Sequence, residues 1–280
     1  MKSIYITDLD HTFLRTDQSI SDFSINTWNE LSQHATLSVA TARSYHKTLA
    51  FLKGLKLDVP MILLDGAMVV TVDKKLIDIK ILDQSIADAI IHESKHFDID
   101  PFVITLNDRK TLEESFLFSS RLNSYQQEVL KNYRDDPRML QCTDLRAKEM
   151  NLKLVYFGTY KSLHPLTEHL KNVFGQSLEY KLSPEKYSDG WFLTILHPQG
   201  DKSYALKKVV EYVEGDMKEV TVFGDSINDI KMFQCAGKAV AVSNALDEVK
   251  EKADIILTQS NDEDAVAHYL NQALVHFKTQ

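Results

Sequence analysis

The chain has 280 residues, 44% of them hydrophobic and 26% charged, which is typical of a globular protein of one large or two smaller domains. Its formal net charge of -8 argues against a nucleic-acid partner and a membrane-surface role, because both favour clustered positive charge. The residues after Met1 lack a signal-peptide pattern, no apolar run reaches the length of a membrane span, and Cys142 and Cys235 are the only cysteines. We therefore expect a reducing, cytoplasmic location.

Short apolar runs alternate with helical patterns in the first and last parts of the chain. Strands are predicted at 3–7, 36–40, 61–64, 220–223, 239–242 and 254–257, with helices at 22–33 and 44–52. The strands are apolar on both sides, as in strands that helices cover on both faces. This order predicts an α/β fold with a Rossmann-like parallel sheet.

The middle of the chain has a different pattern. Helical and strand-like stretches mix there, at 84–96, 102–106, 152–157 and 165–174. Pro165 near the start and Gly175 after the end favour the last of these helices. We predict a catalytic core of residues 1–83 and 190–280, into which an α+β cap domain of residues 84–189 is inserted.

Polar clusters follow three of the predicted strands, at residues 8–12, 41–43 and 224–229. Ligands of a parallel sheet bind beyond the carboxyl ends of its strands, so we expect Asp8, Asp10, Asp225 and Asp229 to lie close together. Two like charges about 4 Å apart repel by about 4 kcal/mol at an effective dielectric constant of 20. Such a cluster needs protons or a divalent cation, and its hard oxygen ligands suit Mg²⁺ and phosphoryl chemistry.

Four motifs occur in order: Asp8-x-Asp10-x-Thr12, Thr41 after the second strand, Lys202, and Gly224-Asp225-x-x-Asn228-Asp229. This set resembles the haloacid dehalogenase superfamily, and the resemblance extends over the whole chain. The segment between Asp10 and Thr41 is too short for a cap domain. The long insertion between Thr41 and Lys202 resembles the Cof-type subfamily with its α/β cap.

The resemblance implies a phosphatase that works in two steps. Asp8 attacks phosphorus and becomes an aspartyl phosphate, while Asp10 protonates the leaving oxygen and then activates water. Thr41 and Lys202 hold the phosphoryl oxygens, and Asn228 adds a hydrogen bond to the phosphate or orients its neighbours.

The resemblance also implies a Mg²⁺ cofactor. Its ligands are Asp8, the main-chain carbonyl of Asp10 and Asp225, with Asp229 close by or one layer further out. The expected partner is a small phosphorylated metabolite, and the sequence leaves open whether the chain is a monomer or a homodimer.

Several positions keep two interpretations. Arg43 is either a substrate contact or a surface ion pair, and Asp65, where the subfamily usually has Asn, is a candidate substrate contact. His11, where Gly is common, either transfers protons or lies outside the turn. Thr41 is alternatively an N-cap for a helix starting near Arg43, and Lys202 is alternatively a solvated first-turn lysine.

The cap is expected to select among substrates such as sugar phosphates or cofactor phosphates, with hinges near Leu82–Asp83 and Asp189–Gly190. Two other functions are kept: a phosphomutase or phosphotransferase, which passes the phosphate to another hydroxyl, and a non-catalytic sensor of phosphorylated ligands. Asp8 and Asp10 speak against the sensor, which needs neither a nucleophile nor an acid.

Overall fold

The computed structural model describes residues 2–185 and 190–279, and the chain divides into two compact units. One unit contains Met1–Ile79 and Asp201–Gln280, and the other contains Lys80–Gly200. The second unit is longer at both ends than the predicted cap of 84–189. This division into compact units does not test the predicted cap boundaries, which stay a prediction. Of the predicted hinges, Asp189 lies outside the described residues.

The strands, in chain order, are β1 (Ile4–Thr7), β2 (Thr36–Val39), β3 (Met61–Leu63), β4 (Met68–Val70), β5 (Leu76–Ile79), β6 (Phe102–Asp108), β7 (Glu113–Ser119), β8 (Met139–Cys142), β9 (Asn151–Gly158), β10 (Glu179–Glu185), β11 (Gly190–Leu196), β12 (Val220–Gly224), β13 (Lys238–Ala241) and β14 (Ile255–Ile256). The helices are α1 (Asp22–Leu31), α2 (Tyr45–Phe51), α3 (Gln84–Ser94), α4 (Ser124–Lys131), α5 (Tyr160–Phe174), α6 (Lys202–Tyr212), α7 (Ile230–Cys235), α8 (Asp247–Lys250) and α9 (Ala265–Thr279).

The first unit contains a parallel sheet in the order β14-β13-β12-β1-β2. Every residue of β1 and β12 is buried, as expected for central strands of a sheet covered on both faces. The predicted α/β class with a Rossmann-like parallel sheet is therefore found in this unit.

One predicted strand of this sheet has a second partner. β3 touches the end of β2 through a single parallel bridge between Ala40 and Ile62. It also forms an antiparallel sheet in the order β3-β4-β5, which the sequence did not predict. The apolar run of β4 follows a turn at Leu64 and Asp65, where both residues have positive φ, so the chain reverses at once.

The second unit has a mainly antiparallel sheet in the order β10-β11-β9-β6-β7-β8. Buried side chains of α3 and α5 share an apolar core with this sheet, among them Ile90, Leu166, Val103 and Leu154. Strand β11 pairs with β9 and β10 in this unit, whereas the sequence assigned residues from 190 onward to the catalytic core.

Helix α5 begins earlier than predicted. Its N-cap is Thr159, whose hydroxyl accepts a hydrogen bond from the Ser162 backbone, so Pro165 lies inside the helix instead of near its start. The end is as predicted, because Gly175 follows with a positive φ of 53°. Among the described helices, none combines the length and apolar character that crossing a bilayer requires.

Candidate active site

Parallel pairing brings three chain segments to one edge of the first unit's sheet. Thr7 at the end of β1 is level with Val39 of β2 and with Phe223 of β12. Asp8 therefore leaves the sheet beside the loop that carries Asp225, and its backbone N–H donates to the Phe223 carbonyl at 2.9 Å. This is the convergence that the sequence predicted for the carboxyl ends of these strands.

Lys202 joins two of the predicted carboxylates. Its Nζ donates to Asp8 Oδ1 at 2.6 Å and to Asp229 Oδ1 at 2.7 Å. The lysine is fully buried, so the alternative of a solvated first-turn lysine is wrong. Asp201 fixes its place at the start of α6, because the Asp201 side chain caps the helix by accepting from Ser203 and Tyr204 N–H groups.

Asp8, Asp225 and Asp229 form a buried group whose nearest carboxylate oxygens all lie within 4.8 Å of one another. Thr12 donates from its hydroxyl to Asp225 Oδ1 at 3.0 Å. Asp229 Oδ2 accepts from the backbone N–H groups of Asp225 and Ser226 at 3.0 and 3.1 Å. Thr12 and these two amides thus hold two of the three carboxylates in fixed orientations.

The electrostatics of the group favour a cation. Burial raises the pKa of Asp8 well above its usual value; Lys202 lowers it, and Asp229 and Asp225 raise it further. Burial lowers the pKa of Lys202, but Asp229 and Asp8 outweigh that effect and hold the pKa above its ordinary value. Lys202 thus supplies one positive charge beside three carboxylates, and full ionisation leaves an excess of negative charge.

The donor set fits Mg²⁺. Carboxylate oxygens are hard ligands, and a divalent cation balances the charge that Lys202 leaves uncompensated. Both oxygens of Asp229 accept hydrogen bonds, one from Lys202 and the other from the backbone. The Asp10 side chain does not belong to this carboxylate group within the described residues.

Asp10 instead pairs with Arg43. The arginine Nε donates to Asp10 Oδ2 at 2.7 Å, and its Nη2 donates to Asp10 Oδ1. The guanidinium also lies over the Phe51 ring, 4.0 Å from its centroid, and donates to Gln18. Both partners are partly exposed, and Asp10 lies close enough to Asp8 to raise the pKa of that carboxyl, so this ion pair borders the buried group.

Thr41 and Asp65 lie on neighbouring loops. Thr41 is fully buried, its hydroxyl accepts from the Arg43 N–H at 3.2 Å, and its carbonyl accepts from the Asp65 N–H at 3.0 Å. Helix α2 begins at Tyr45 with Ser44 as its N-cap residue, so the alternative that Thr41 caps this helix is wrong.

Asn228 and Asp65 are joined directly. Asn228 Nδ2 donates to Asp65 Oδ1 at 3.0 Å, and the buried Asn228 Oδ1 has no hydrogen-bond partner among the described protein groups. Asp65 is itself buried. The sequence named both residues but did not predict that they contact each other.

Another set of contacts fixes the loop after Asp8. Asn244 donates to the His11 carbonyl at 2.8 Å and accepts from the Asn261 backbone, and Asn261 Nδ2 donates to the Leu14 carbonyl. His11 adopts a φ of 55°, the left-handed region that glycine enters without strain, which accounts for glycine being common at this position. Asn244 and Asn261 were not assigned a role from the sequence, although each lies in a polar stretch that follows a predicted strand, which is a usable signal.

Gly66 brings the loop after β3 against the start of α6. Its φ is +110°, and a Cβ there would overlap the Asp201 carbonyl and lie 2.7 Å from the Lys202 backbone nitrogen. Gly224 has a similar constraint, because a Cβ would lie 2.5 Å from Asp229 Cγ. At both positions the close approach of the neighbouring segment therefore requires glycine.

We expect Gly66→Ala to lower the free energy of unfolding by about 1–3 kcal/mol more than Gly54→Ala does. Gly54 also has a positive φ, of +92°, but the atoms nearest to an added Cβ are 3.7 Å away, so this control carries the backbone strain without the overlap. Urea unfolding of both variants measures the difference. Equal losses would show that the loop moves aside without cost.

Comparisons with known proteins agree with this geometry. A family profile described as haloacid dehalogenase-like hydrolase matches residues 5–270. The 5-amino-6-(5-phospho-D-ribitylamino)uracil phosphatase YwtE of Bacillus subtilis is 26% identical, with 98% of each chain covered. The HMP-PP phosphatase of an Enterobacter species is 23% identical over 97% of this chain and 93% of its own length.

Solved structures show the same fold. A Thermotoga maritima protein superposes with a TM-score of 0.76 at 25% identity, with 97% of each chain covered. A haloacid dehalogenase-like hydrolase of Bacteroides thetaiotaomicron superposes with a TM-score of 0.78 at 20% identity, covering 98% of this chain and all of its own. The predicted fold class and family are confirmed. The chain belongs to the haloacid dehalogenase-like hydrolases, and it is a Cof-type phosphatase, a phosphoric monoester hydrolase.

Proposed function

We propose that this phosphatase hydrolyses phosphate monoesters of small metabolites through a phosphorylated Asp8, with Mg²⁺ as its cofactor. The observation that carries the proposal is the buried contact of Asp8 with Lys202 inside a group of three carboxylates. A buried lysine that contacts a nucleophile can also contact the phosphoryl oxygens that approach it. Such preorganised charge is a main source of catalysis in phosphoryl transfer.

In the first step a carboxylate oxygen of Asp8 forms a bond to phosphorus, and the bond to the leaving oxygen breaks. Asp10 gives a proton to that oxygen. In the second step Asp10 takes a proton from water, which attacks phosphorus and releases inorganic phosphate and the Asp8 carboxylate. We assign Thr41 and Asn228 to the residues that bind the phosphoryl oxygens.

The ion pair at Asp10 adds a requirement. Both Asp10 oxygens accept hydrogen bonds from Arg43, so this contact competes with a hydrogen bond from Asp10 to the leaving oxygen. We propose that substrate binding draws Arg43 away and lets Asp10 reach the leaving oxygen. Arg43 is then a substrate contact as well as an ion-pair partner.

Mg²⁺ would be held by Asp8 and Asp225, with the Asp10 carbonyl as a further ligand and Asp229 positioning Lys202. When bound, it would neutralise charge that develops on the phosphoryl group. Thr12 keeps Asp225 turned toward that position through its hydroxyl hydrogen bond. The backbone amides of Asp225 and Ser226 hold Asp229 in place, and Asp229 in turn holds Lys202.

Asp10→Ala is expected to lower kcat by about 10²- to 10⁴-fold, because the variant loses acid and base assistance in both steps. Steady-state assays with p-nitrophenyl phosphate and with an alkyl phosphate measure the loss. The loss should be smaller for p-nitrophenyl phosphate, whose leaving group needs less protonation. Asp17→Ala, an exposed residue of the same loop, serves as the control and should leave the rate unchanged. An undiminished rate in Asp10→Ala would assign the proton transfers to another group.

A screen of phosphorylated metabolites with saturating Mg²⁺, and again with the metal chelated, tests the proposed function as a whole. We expect release of inorganic phosphate from some sugar or cofactor phosphates, and a return to background on chelation. Ribityl phosphates belong in the panel, because one similar protein is named for such a substrate. Phosphate release that is insensitive to chelation would contradict the magnesium proposal.

The same screen separates the two other functions. A phosphotransferase would give a new phosphate ester when a sugar acceptor is added, and less inorganic phosphate. A sensor would bind phosphorylated ligands without turnover.

A further inference from the structure

Three histidines and a glutamate gather on the second unit, outside the site described above. His92 and Glu93 belong to the last turn of α3, and His96 lies in the tight turn that follows. His169 comes from α5. One donor atom from each of His92, Glu93 and His96 lies within 4.8 Å of the other two. The His92 and His96 ring centroids are 6.1 Å apart, and those of His96 and His169 are 6.4 Å apart.

The fold accounts for this gathering. The apolar faces of α3 and α5 share one core, which includes Ile90 and Ile91 of α3 and Leu166 and Leu170 of α5. Polar residues at the margins of those faces are therefore brought side by side. His92 lies in the last turn of α3 and His96 in the turn that directly follows, and this turn keeps their donor atoms within 4.8 Å of each other and of Glu93. At this place the exposed residues are mainly histidines, whereas lysines and glutamates are more common on exposed helix surfaces.

Glu93 is already oriented by a second helix. Its Oε2 lies 2.6 Å from His169 Nε2. This contact partly immobilises the Glu93 carboxylate. A metal-binding group is usually supported in this way by a hydrogen bond from a residue behind it.

The donor set differs from that of the active site. Imidazole nitrogens suit Zn²⁺, Ni²⁺ and Cu²⁺, whereas Mg²⁺ prefers oxygen ligands. His92 and His96 have the sequence spacing of the two zinc-binding histidines in the motif His-Glu-x-x-His, whose glutamate is not itself a ligand. Ligands around zinc lie roughly 3.3 Å apart for bonds of about 2.0–2.1 Å, so the side chains must close in slightly. The exposed rings of His92 and His96 can do this by small rotations.

A purely structural explanation accounts for less of the arrangement. The helix dipole favours basic residues near the end of a helix. It does not require donor atoms of His92, His96 and Glu93 to converge to within 4.8 Å of one another.

We propose that His92, Glu93 and His96 bind a borderline transition-metal ion of the Zn²⁺ class, with His169 as the residue that positions Glu93. A bound ion would tie the end of α3 to α5 through the Glu93–His169 contact. The site is separate from the phosphoryl chemistry and does not depend on it.

Calorimetric titration with Zn²⁺ tests the proposal, using untagged protein in saturating Mg²⁺ so that the acidic group is already occupied. We expect the wild-type protein to bind one equivalent more than His92→Ala/His96→Ala. His169→Ala should keep the stoichiometry and weaken the affinity by about 10- to 100-fold. His164→Ala, an exposed histidine elsewhere on α5, is the matched control and should behave as wild type.

A second measurement separates loss of binding from loss of folding. Zn²⁺ should raise the thermal midpoint of the wild-type protein and of His164→Ala, and leave that of the double variant unchanged. The double variant should have the wild-type midpoint without zinc, because both substituted rings are exposed. Equal zinc stoichiometry and affinity in the wild-type protein and the double variant would overturn the proposal.

Discussion

Asp8→Asn is expected to reduce turnover of any phosphate ester to background, a loss of about 10⁴-fold or more. An amide oxygen is a poor nucleophile, and the substitution also removes one carboxylate from the group that would hold Mg²⁺. The protein should stay folded, because Asn has the size of Asp and its amide oxygen can still accept from Lys202. Steady-state assays and circular dichroism measure the two effects.

Loss of turnover alone does not separate a nucleophile from a metal ligand, so Asp225→Asn is the matched control. Both variants should be nearly inactive. Acid-quenched wild-type enzyme should carry a phosphoryl group on the peptide that contains Asp8, as seen by mass spectrometry. With prolonged incubation Asp225→Asn should still accumulate that group slowly, and Asp8→Asn should never do so. A phosphorylated peptide elsewhere in the chain would contradict the covalent role of Asp8.

The sequence was sufficient to predict the gathering of Asp8, Asp225 and Asp229. Each follows a buried strand or begins the helix after it, and parallel strands deliver their carboxyl ends to one edge. Lys202 could be named only by resemblance, because a lysine that begins a helix is usually solvated. Its burial depends on Asp201, which caps α6, and on Gly66, which lets the loop after β3 approach the start of α6 closely. Neither contact can be predicted from the pattern of apolar residues.

Side-chain partners were harder to predict than positions. The pairing of Asp10 with Arg43, and of Asp65 with Asn228, depends on the directions of side chains that leave different loops. Strand periodicity carries no information about such directions. The same limit applies to β11, whose apolar residues fit either a core sheet or an inserted one. Only its register with β9 and β10 assigns it to the second unit.

Lys202→Met should lower the free energy of unfolding by about 3–5 kcal/mol in the absence of divalent cations. Methionine keeps most of the side-chain volume but removes the charge that contacts Asp8 and Asp229, all three groups being buried. The remaining carboxylates then repel one another without a compensating protein cation. Urea unfolding in chelator measures the loss. Lys208→Met, on the exposed side of the same helix and paired with Glu211, should cost less than about 1 kcal/mol.

Two conditions should reduce the loss in Lys202→Met, and together they identify its cause. Mg²⁺ should stabilise this variant more than the wild-type protein, because the ion replaces part of the missing positive charge. Acidic pH should act in the same direction. Burial raises the pKa of Asp8, so the folded variant binds a proton more readily than the unfolded chain, and the variant's deficit diminishes as pH falls. If the loss of unfolding free energy in Lys202→Met were equal in magnesium, in chelator and across pH, lost packing and not lost charge would explain it. That result would contradict the role of Lys202 in organising the carboxylates around a metal ion.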